Sequence, residues 1–130
     1  MESGRQLLTY LDTHAALWLC AGEVRFSPRV LKHLENAELR ISPFVLLEMQ
    51  FLQEIGRLNV GPDQWLDILK RDFEVRICPI SVQRVVTEAF KLSWTRDPFD
   101  RIIVAQTIAG EGKLITKDDR IHKNFDGALW

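Results

Sequence analysis

The sequence predicts an α/β fold with a mainly parallel sheet that helices cover on both faces. First, short apolar runs alternate with segments of helical periodicity along almost the whole chain, as expected for parallel strands joined by helices. Second, Ser-Pro and Asp-Pro pairs stand directly before three of the periodic segments, where they are typical of helix starts. Third, the 130 residues are 46% hydrophobic and 27% charged, which is ordinary for one globular domain.

The first half of the chain contains two predicted strands and three predicted helices. The run LLTYL is short and apolar, which indicates a buried strand, and Gly22 ends the helix that follows it. Ser27 and Ser42 are expected to cap helices, because each precedes a proline at the first helical position. The predicted elements are a strand over 7–11, helices over 13–21 and 28–37, a strand over 39–41 and a helix over 43–55.

The second half repeats the alternation and includes the most apolar predicted helix. This helix begins after the pair Asp97-Pro98 and ends before Gly110. The predicted elements are a helix over 62–73, a strand over 75–78, helices over 81–92 and 98–109, a strand over 113–116 and a short helix from Asp118. No repeat or linker interrupts this order, so we expect a single domain over residues 1–130.

Composition excludes several classes of protein. Cys20 and Cys78 form no CxxC pair and no zinc pattern, and no apolar run is long enough to cross a membrane. The first six residues contain no apolar core of a secretory leader, so we expect a cytoplasmic protein with reduced cysteines. The net charge of −1 is not that of a basic nucleic-acid binder.

The small net charge conceals an asymmetry. Six of the 18 acids stand in apolar or turn contexts, and setting them aside leaves 12 acids against 17 Lys and Arg. If the six cluster, the protein has an acidic site on a mildly basic body, which suits a metal site acting on a polyanion. These acids are Asp12, Glu48, Asp97, Asp100, Asp118 and Asp119.

Three of the acids follow predicted strands. In parallel sheets, ligands bind beyond the carboxyl ends of the strands, which is where Asp12 and the pair Asp118-Asp119 are expected. Asp12 has an equally good alternative role as a helix N-cap. We prefer Asp118 as the functional member of its pair because it is nearer the strand end, whereas Asp119 suits a solvent-facing helix start.

Glu48 is predicted to lie on an apolar helix face. The stripe through Glu48 contains Phe44, Phe51, Leu52 and Ile55, whereas Gln50, Gln53 and Glu54 fall on the opposite face. An unpaired buried carboxylate costs several kcal/mol or takes up a proton, so Glu48 needs a metal, a base or backbone donors. The alternative is an edge position at which Glu48 pairs with Arg40 or Arg101.

The segment DPFDR contains two acids with different expected roles. Asp97 precedes a proline and is well explained as an N-cap. Asp100 falls in the first turn of a helix whose next residues are apolar, so we expect it to face the strand ends. A cluster of carboxylates without a positioned His or Cys suits Mg²⁺ or Mn²⁺ rather than zinc, and indicates metal-assisted phosphodiester hydrolysis.

Four strings of the sequence resemble the PIN-domain family, and within it ribonuclease toxins of the VapC type from bacterial toxin–antitoxin systems. The resemblance covers nearly the whole chain in matching order, and DPFDR with its apolar helix is the most specific part. The strings are LDTHAALW from residue 11, LLEM from 46, DPFDRIIVAQ from 97 and LITKD from 114.

The resemblance implies a three-layer α/β/α sandwich that binds one or two Mg²⁺ or Mn²⁺ ions and cleaves RNA. Asp12, Glu48 and Asp100 match the first three family acids, and Asp118, with Asp119 as the alternative, matches the variable fourth. Asp97 matches a supporting acid, and Thr13 and Thr116 match hydroxyl positions that hold a carboxylate or water. The family also implies inhibition of translation, a homodimer, and an antitoxin whose C-terminal segment covers the site.

Several other residues are candidates for contacts with RNA or with a partner. Three bases flank the proposed site and are candidates for the RNA backbone: Arg96, Lys117 and Arg120. Arg101, beside Asp100, is a further candidate, with pairing to an acid as the alternative. Four apolar residues suit either an antitoxin groove or the ordinary core: Trp18, Phe51, Leu52 and Trp65. His14 is expected to pack near its helix start, and Trp94 and Trp130 are expected to pack rather than to stack on bases.

The sequence leaves other functions open. A PIN-type nuclease used in RNA processing and a non-catalytic binding or regulatory module share the predicted fold. A phosphatase with Asp12 as its nucleophile fits less well, because the second aspartate that such enzymes use would stand at His14.

Overall fold

A computed structural model describes residues 6–22 and 25–130 of the chain. Its described residues contain five strands: β1 (Leu7–Leu11), β2 (Ala37–Ile41), β3 (Arg76–Ile77), β4 (Lys113–Ile115) and β5 (Ala128–Leu129). The helices are α1 (Thr13–Ala21), α2 (Pro28–Leu34), α3 (Pro43–Glu54), α4 (Pro62–Phe73), α5 (Val82–Ala89), α6 (Pro98–Ala109) and α7 (Asp119–Asn124). Residues 1–5, where we expect no secretory leader, lie outside the described part.

The five strands form one sheet in the order β3-β2-β1-β4-β5, and every neighbouring pair is parallel. The predicted α/β/α sandwich with a parallel sheet is therefore confirmed. The central strand β1 pairs with β2 on one side and with β4 on the other. This order brings the carboxyl ends of β1 and β4 together, so the residues that follow these strands share one edge of the sheet.

Apolar side chains on the three central strands form the middle of the core. Tyr10, Leu11, Ile41, Leu114 and Ile115 are fully buried. Burying a side chain of this size stabilises the fold by about 1.5–3 kcal/mol relative to leaving it exposed. The central strand β1 lies between two other strands and reads as an almost continuous apolar run, LLTYL, whereas β2 alternates apolar and charged residues as AELRI.

Side-chain oxygens cap the helices at the places that the sequence indicates. Ser27 and Ser42 accept hydrogen bonds from the backbone N–H groups of Val30 and Phe44, both at 3.1 Å. Each of these helices then begins with a proline, whose missing N–H costs nothing at that position. These local signals account for the accuracy of the predicted helix starts.

Two helices end earlier than predicted, and one strand was not predicted. The helix from Pro28 ends at Leu34 rather than near residue 37, because Asn36 turns the chain and accepts a hydrogen bond from the N–H of Leu7. The helix predicted over 81–92 spans only Val82–Ala89. Strand β5 has two residues, too few to give a periodic signal.

No helix in the described ranges 6–22 and 25–130 is long and apolar enough to cross a membrane.

Candidate active site

A cleft of about 270 Å³ opens where β1 and β4 end, and five of its ten lining residues are acidic. The lining residues are Asp12, Thr13, His14, Trp18, Glu48, Asp97, Asp100, Ile103, Lys117 and Asp118. A larger cavity, of about 620 Å³, lies beside the first residues of β2 and β3 and contains none of the predicted site residues. We assign the chemistry to the smaller cleft, because acids from four separate parts of the chain meet there.

Asp12 is both a helix cap and a wall of the cleft. Its Oδ1 accepts a hydrogen bond of 2.8 Å from the N–H of Ala15, and its own N–H donates to the carbonyl of Ile115 on the neighbouring strand. Burial raises the pKa of Asp12, although hydrogen bonds from Thr116 and Ala15 act in the opposite direction. The two expected roles of Asp12 are therefore compatible in a single conformation.

Glu48 reaches the cleft from α3, where it accepts a hydrogen bond of 2.5 Å from the hydroxyl of Thr13. Neither predicted basic partner contacts it, because Arg40 pairs with Glu38 and Arg101 donates to backbone carbonyls. Glu48 thus meets a hydroxyl at the start of α1 instead of a cation.

The predicted apolar stripe of α3 is wrong. Phe51 and Ile55 are 46% and 65% exposed, whereas Val45 and Met49 are fully buried. The helix is apolar on two faces, and it is the face with Val45 and Met49 that packs into the core. Glu48 stands next to that face and is half-buried.

The two acids of DPFDR have separate positions at the start of α6. Asp97 caps the helix, since its Oδ1 accepts hydrogen bonds from the N–H groups of Phe99 and Asp100 at 2.9 and 3.0 Å. Asp100 is half-buried, and burial raises its pKa to about 7, with further contributions from the charges of four acids. These acids are Asp97, Asp118, Glu48 and Asp12.

Asp118 is the member of its pair that lines the cleft, and Asp119 is not among the lining residues. Asp118 caps α7 by accepting a hydrogen bond of 2.9 Å from the N–H of Ile121. Its own N–H donates to the hydroxyl oxygen of Thr116 at 3.1 Å. Thr116 therefore contacts two of the acids, because its hydroxyl also hydrogen-bonds to Asp12.

The charge and the chemistry of this cleft suit a hard divalent cation. Its potential ligands are carboxylate and hydroxyl oxygens, which Mg²⁺ and Mn²⁺ prefer, and the acids repel one another strongly enough to affect Asp100. Within residues 6–22 and 25–130, however, no three His, Cys, Asp or Glu side chains are grouped closely enough to form a ready metal site. The acids thus fit a cation by type and charge and would have to draw closer to hold it.

The four predicted RNA-contacting bases have different surroundings. Lys117 lines the cleft. Arg96 and Arg120 are exposed, and they stand one and two positions along the chain from the cleft residues Asp97 and Asp118. Arg101 donates to the carbonyls of Ala89 and Thr95 at 2.9 and 3.3 Å, so its guanidinium joins α6 to the end of α5.

Aromatic residues near the cleft differ from expectation in one respect. His14 is exposed rather than packed, and Trp18 lines the cleft with it. Trp130 packs edge-on against Trp18, with ring centroids 5.6 Å apart. No sequence signal links these two rings, because their contact depends on the path of the last strand.

The fold and the cleft together define an α/β sandwich domain whose acids meet at the carboxyl edge of a parallel sheet. The model of the PIN domain family matches residues 9–126, and the chain therefore belongs to this family.

Three similar proteins, one matched by sequence and two by structure, align with this chain over most of their lengths. The chain is 31% identical over 118 residues to ribonuclease VapC22 from Mycobacterium tuberculosis, with 88% of this chain and 89% of that protein covered. A crystal structure of VapBC2 from Rickettsia felis, bound to a DNA fragment from its promoter, is similar with a TM-score of 0.66 at 17% identity, covering 95% of this chain and 96% of that one. A toxin–antitoxin complex from Klebsiella pneumoniae is similar with a TM-score of 0.63 at 17% identity, covering 94% and 96%.

Proposed function

We propose that the protein is an endoribonuclease that depends on Mg²⁺ or Mn²⁺ and acts as the toxin of a toxin–antitoxin pair, inhibiting translation by cutting RNA in the cytoplasm. The observation that carries the proposal is the meeting of Asp12, Glu48, Asp100 and Asp118 in one cleft at the carboxyl edge of the sheet. The likeness to a ribonuclease over almost the whole chain supports the same conclusion. We treat residues 1–130 as one functional domain.

The four acids would hold the cation, which when bound lowers the pKa of a water and stabilises charge on the phosphate. Thr13 keeps Glu48 directed into the cleft, because its hydroxyl donates a hydrogen bond to the carboxylate. Thr116 orients Asp12 through a hydrogen bond from its hydroxyl. The same hydroxyl oxygen accepts a hydrogen bond from the backbone N–H of Asp118 and so fixes the backbone there. Asp97 supports the site indirectly, because it orders the first turn of the helix on which Asp100 stands.

The activity is tested by incubating the purified protein with total cellular RNA in Mg²⁺, in Mn²⁺ and in EDTA. Asp100→Asn and the control Asp126→Asn are prepared identically, since Asp126 is an exposed acid outside the cleft. We expect cleavage with either cation, none in EDTA, and a loss of at least about 100-fold in Asp100→Asn, because even residues behind metal ligands contribute 10–100-fold. Equal cleavage by wild type and Asp100→Asn would contradict the assignment.

The same assay decides which residue is the fourth acid. Asp118→Asn should lower cleavage strongly, whereas Asp119→Asn should leave it close to wild type, because only Asp118 lines the cleft. The reverse result would identify Asp119, and not Asp118, as the fourth acid of the site. Circular dichroism of both variants checks that the fold is retained.

We propose two protein partners, a second copy of the chain and a cognate antitoxin. The similar structures are named as a VapBC complex and a toxin–antitoxin complex, which supports the antitoxin. Exposed apolar side chains on α3, among them Leu47, Phe51 and Ile55, are available for such contacts. Light scattering of the purified chain tests the dimer, and co-purification with the product of a neighbouring gene tests the antitoxin, with inhibition of cleavage as the readout.

A further inference from the structure

A cluster of aromatic rings with two cations borders the acidic cleft, which it meets through Trp18 and Lys117. Trp18 and Trp130 meet edge-on with their centroids 5.6 Å apart, and the buried Phe26 lies 5.6 Å behind Trp130. The guanidinium of Arg25 stands 5.5 Å from the ring of Trp18, and the ammonium of Lys117 stands 5.8 Å from that of Trp130. We call these five residues the aromatic wall.

The aromatic wall is continuous with the proposed catalytic acids. Trp18 and Lys117 line the same cleft as Asp12 and Asp118, and both tryptophans are half-buried rather than enclosed in the core. His14, which is exposed, lies 6.0 Å from Trp18 and extends the ring surface along the cleft. A strand whose phosphate reaches the acids would therefore pass beside Trp18 and His14.

A surface that does not rely on charge would add to the attraction that a cation bound at the acids offers an anionic substrate. Among the described residues that line the cleft, Lys117 is the single Lys or Arg, against five Asp and Glu. Stacking of a base on an aromatic ring adds affinity that does not depend on charge. A Lys or Arg held over such a ring can also attract the phosphate next to the stacked base.

We propose that the aromatic wall is a nucleobase subsite, in which Trp18 stacks on a base of single-stranded RNA beside the phosphate held at the acids, while Lys117 contacts the backbone. The inference rests on the proposed ribonuclease function and adds to it a residue that positions the substrate by contact with a base. A base in a duplex is already stacked on its neighbours, so the subsite selects unpaired nucleotides. Trp18 is in this scheme a substrate-positioning residue.

The test measures binding and cleavage separately. Binding of a fluorescein-labelled ten-nucleotide single strand is followed by anisotropy in Ca²⁺, and cleavage is followed in Mg²⁺ and in Mn²⁺. An abasic ribose-phosphate strand of the same length shows how much affinity comes from bases. We expect Trp18→Leu to weaken binding of the normal strand about ten-fold and to leave binding of the abasic strand unchanged. Trp18→Phe should restore most of the loss.

Three further variants separate base contacts from phosphate contacts. Lys117→Gln should weaken both strands about equally and reduce the dependence of binding on salt, whereas Lys123→Gln, an exposed lysine outside the cleft, should not. Phe90→Leu removes an aromatic ring that is 71% exposed and lies outside the cleft, so it controls for loss of a surface ring.

Each outcome bears on the inference or on the proposed function. An equal effect of Trp18→Leu on both strands, or no effect, would overturn the subsite even if wild type cleaves RNA. Base-dependent binding that Trp18→Leu removes, without cleavage in either cation, would retain the subsite and overturn the ribonuclease. Failure of wild type to bind either strand would overturn the subsite and leave the wall as a packing or protein-contact surface, and failure also to cleave total cellular RNA would overturn the ribonuclease.

Discussion

At the residue scale, the acids of the cleft are held in a partly buried cluster that disfavours their charged forms. Asp12 and Asp100 both have raised pKa values, chiefly because burial disfavours their charged forms. The ion pairs formed among described residues, such as Arg40–Glu38 and Arg71–Asp67, lie away from these acids. The acids therefore reduce the stability of the cation-free protein, which is typical of residues retained for binding or chemistry.

The cost at Asp100 predicts a stability that depends on pH. Its pKa is about 7 in the folded protein and about 4 in the unfolded chain, so the folded state binds the proton more tightly. The stability that this proton provides is present below pH 4 and is lost as the pH rises through 7. In EDTA, Asp100→Asn should gain about 1–2 kcal/mol relative to wild type between pH 4 and pH 8, after allowing for partial exposure.

Urea unfolding at pH 4, 6 and 8 measures this difference. Asp126→Asn, which replaces an exposed acid outside the cleft, serves as the control and should show a constant difference from wild type. A difference between Asp100→Asn and wild type that does not grow with pH would contradict the raised pKa of Asp100.

The contact between Thr13 and Glu48 predicts a second effect at this scale. Thr13→Val keeps the branched shape of a buried side chain but removes the hydroxyl that donates to Glu48. We expect a loss of about 1 kcal/mol in stability and weaker binding of Mn²⁺, because Glu48 is no longer oriented. Thr13→Ser keeps the donor and should retain the affinity for Mn²⁺, which calorimetric titration can compare across the two variants. Equal affinity in both would argue against an orienting role.

At the scale of elements, helix capping and the proposed site use the same residues. Asp12, Asp97 and Asp118 each cap a helix that begins at the carboxyl edge of the sheet. Helix starts favour negative charge through the exposed N–H groups and the helix dipole, which offsets part of the repulsion between the acids. One carboxylate at such a position can therefore stabilise the helix start and remain available to bind a ligand in the cleft.

Substitutions at Asp118 should separate these two roles. Asn is as good an N-cap as Asp, so Asp118→Asn should fold with nearly wild-type stability and lose RNA cleavage. Asp118→Ala loses the cap as well and should cost about 1 kcal/mol, or about 3–5 °C in Tm. Thermal unfolding in EDTA with parallel cleavage assays distinguishes the variants, and full activity in Asp118→Asn would contradict the proposed role of Asp118.

At the scale of the whole molecule, the sequence predicts what depends on local signals and fails where packing decides. Capping residues set the helix starts, and the alternation of elements predicts the parallel sheet that joins Asp12 to Asp118. Periodicity could not choose between the two apolar faces of α3, because the choice depends on helices that pack against it from distant parts of the chain. The approach of Trp130 to Trp18 depends likewise on β5, a strand of two residues.

Binding of a cation should connect the cleft to the stability of the whole domain. The acids that repel one another in the free protein would share one positive centre, and the unfolded chain does not hold them together. A cation at about ten times its Kd should therefore stabilise the fold by about 1.4 kcal/mol, and Tm should rise with concentration. Since a proton on Asp100 competes with the cation, the rise should be larger at pH 8 than at pH 6.

Differential scanning fluorimetry with Mn²⁺ and Mg²⁺ at the two pH values measures this effect. Asp100→Asn should show a much smaller rise in Tm at either pH, whereas Asp63→Asn, an exposed acid on α4, should respond like wild type. A rise that is equal in Asp100→Asn and wild type would mean that the cation binds elsewhere on the surface. A rise in wild type that is larger at pH 6 than at pH 8 would contradict competition with the proton, because the protonated acid carries no charge to attract the cation.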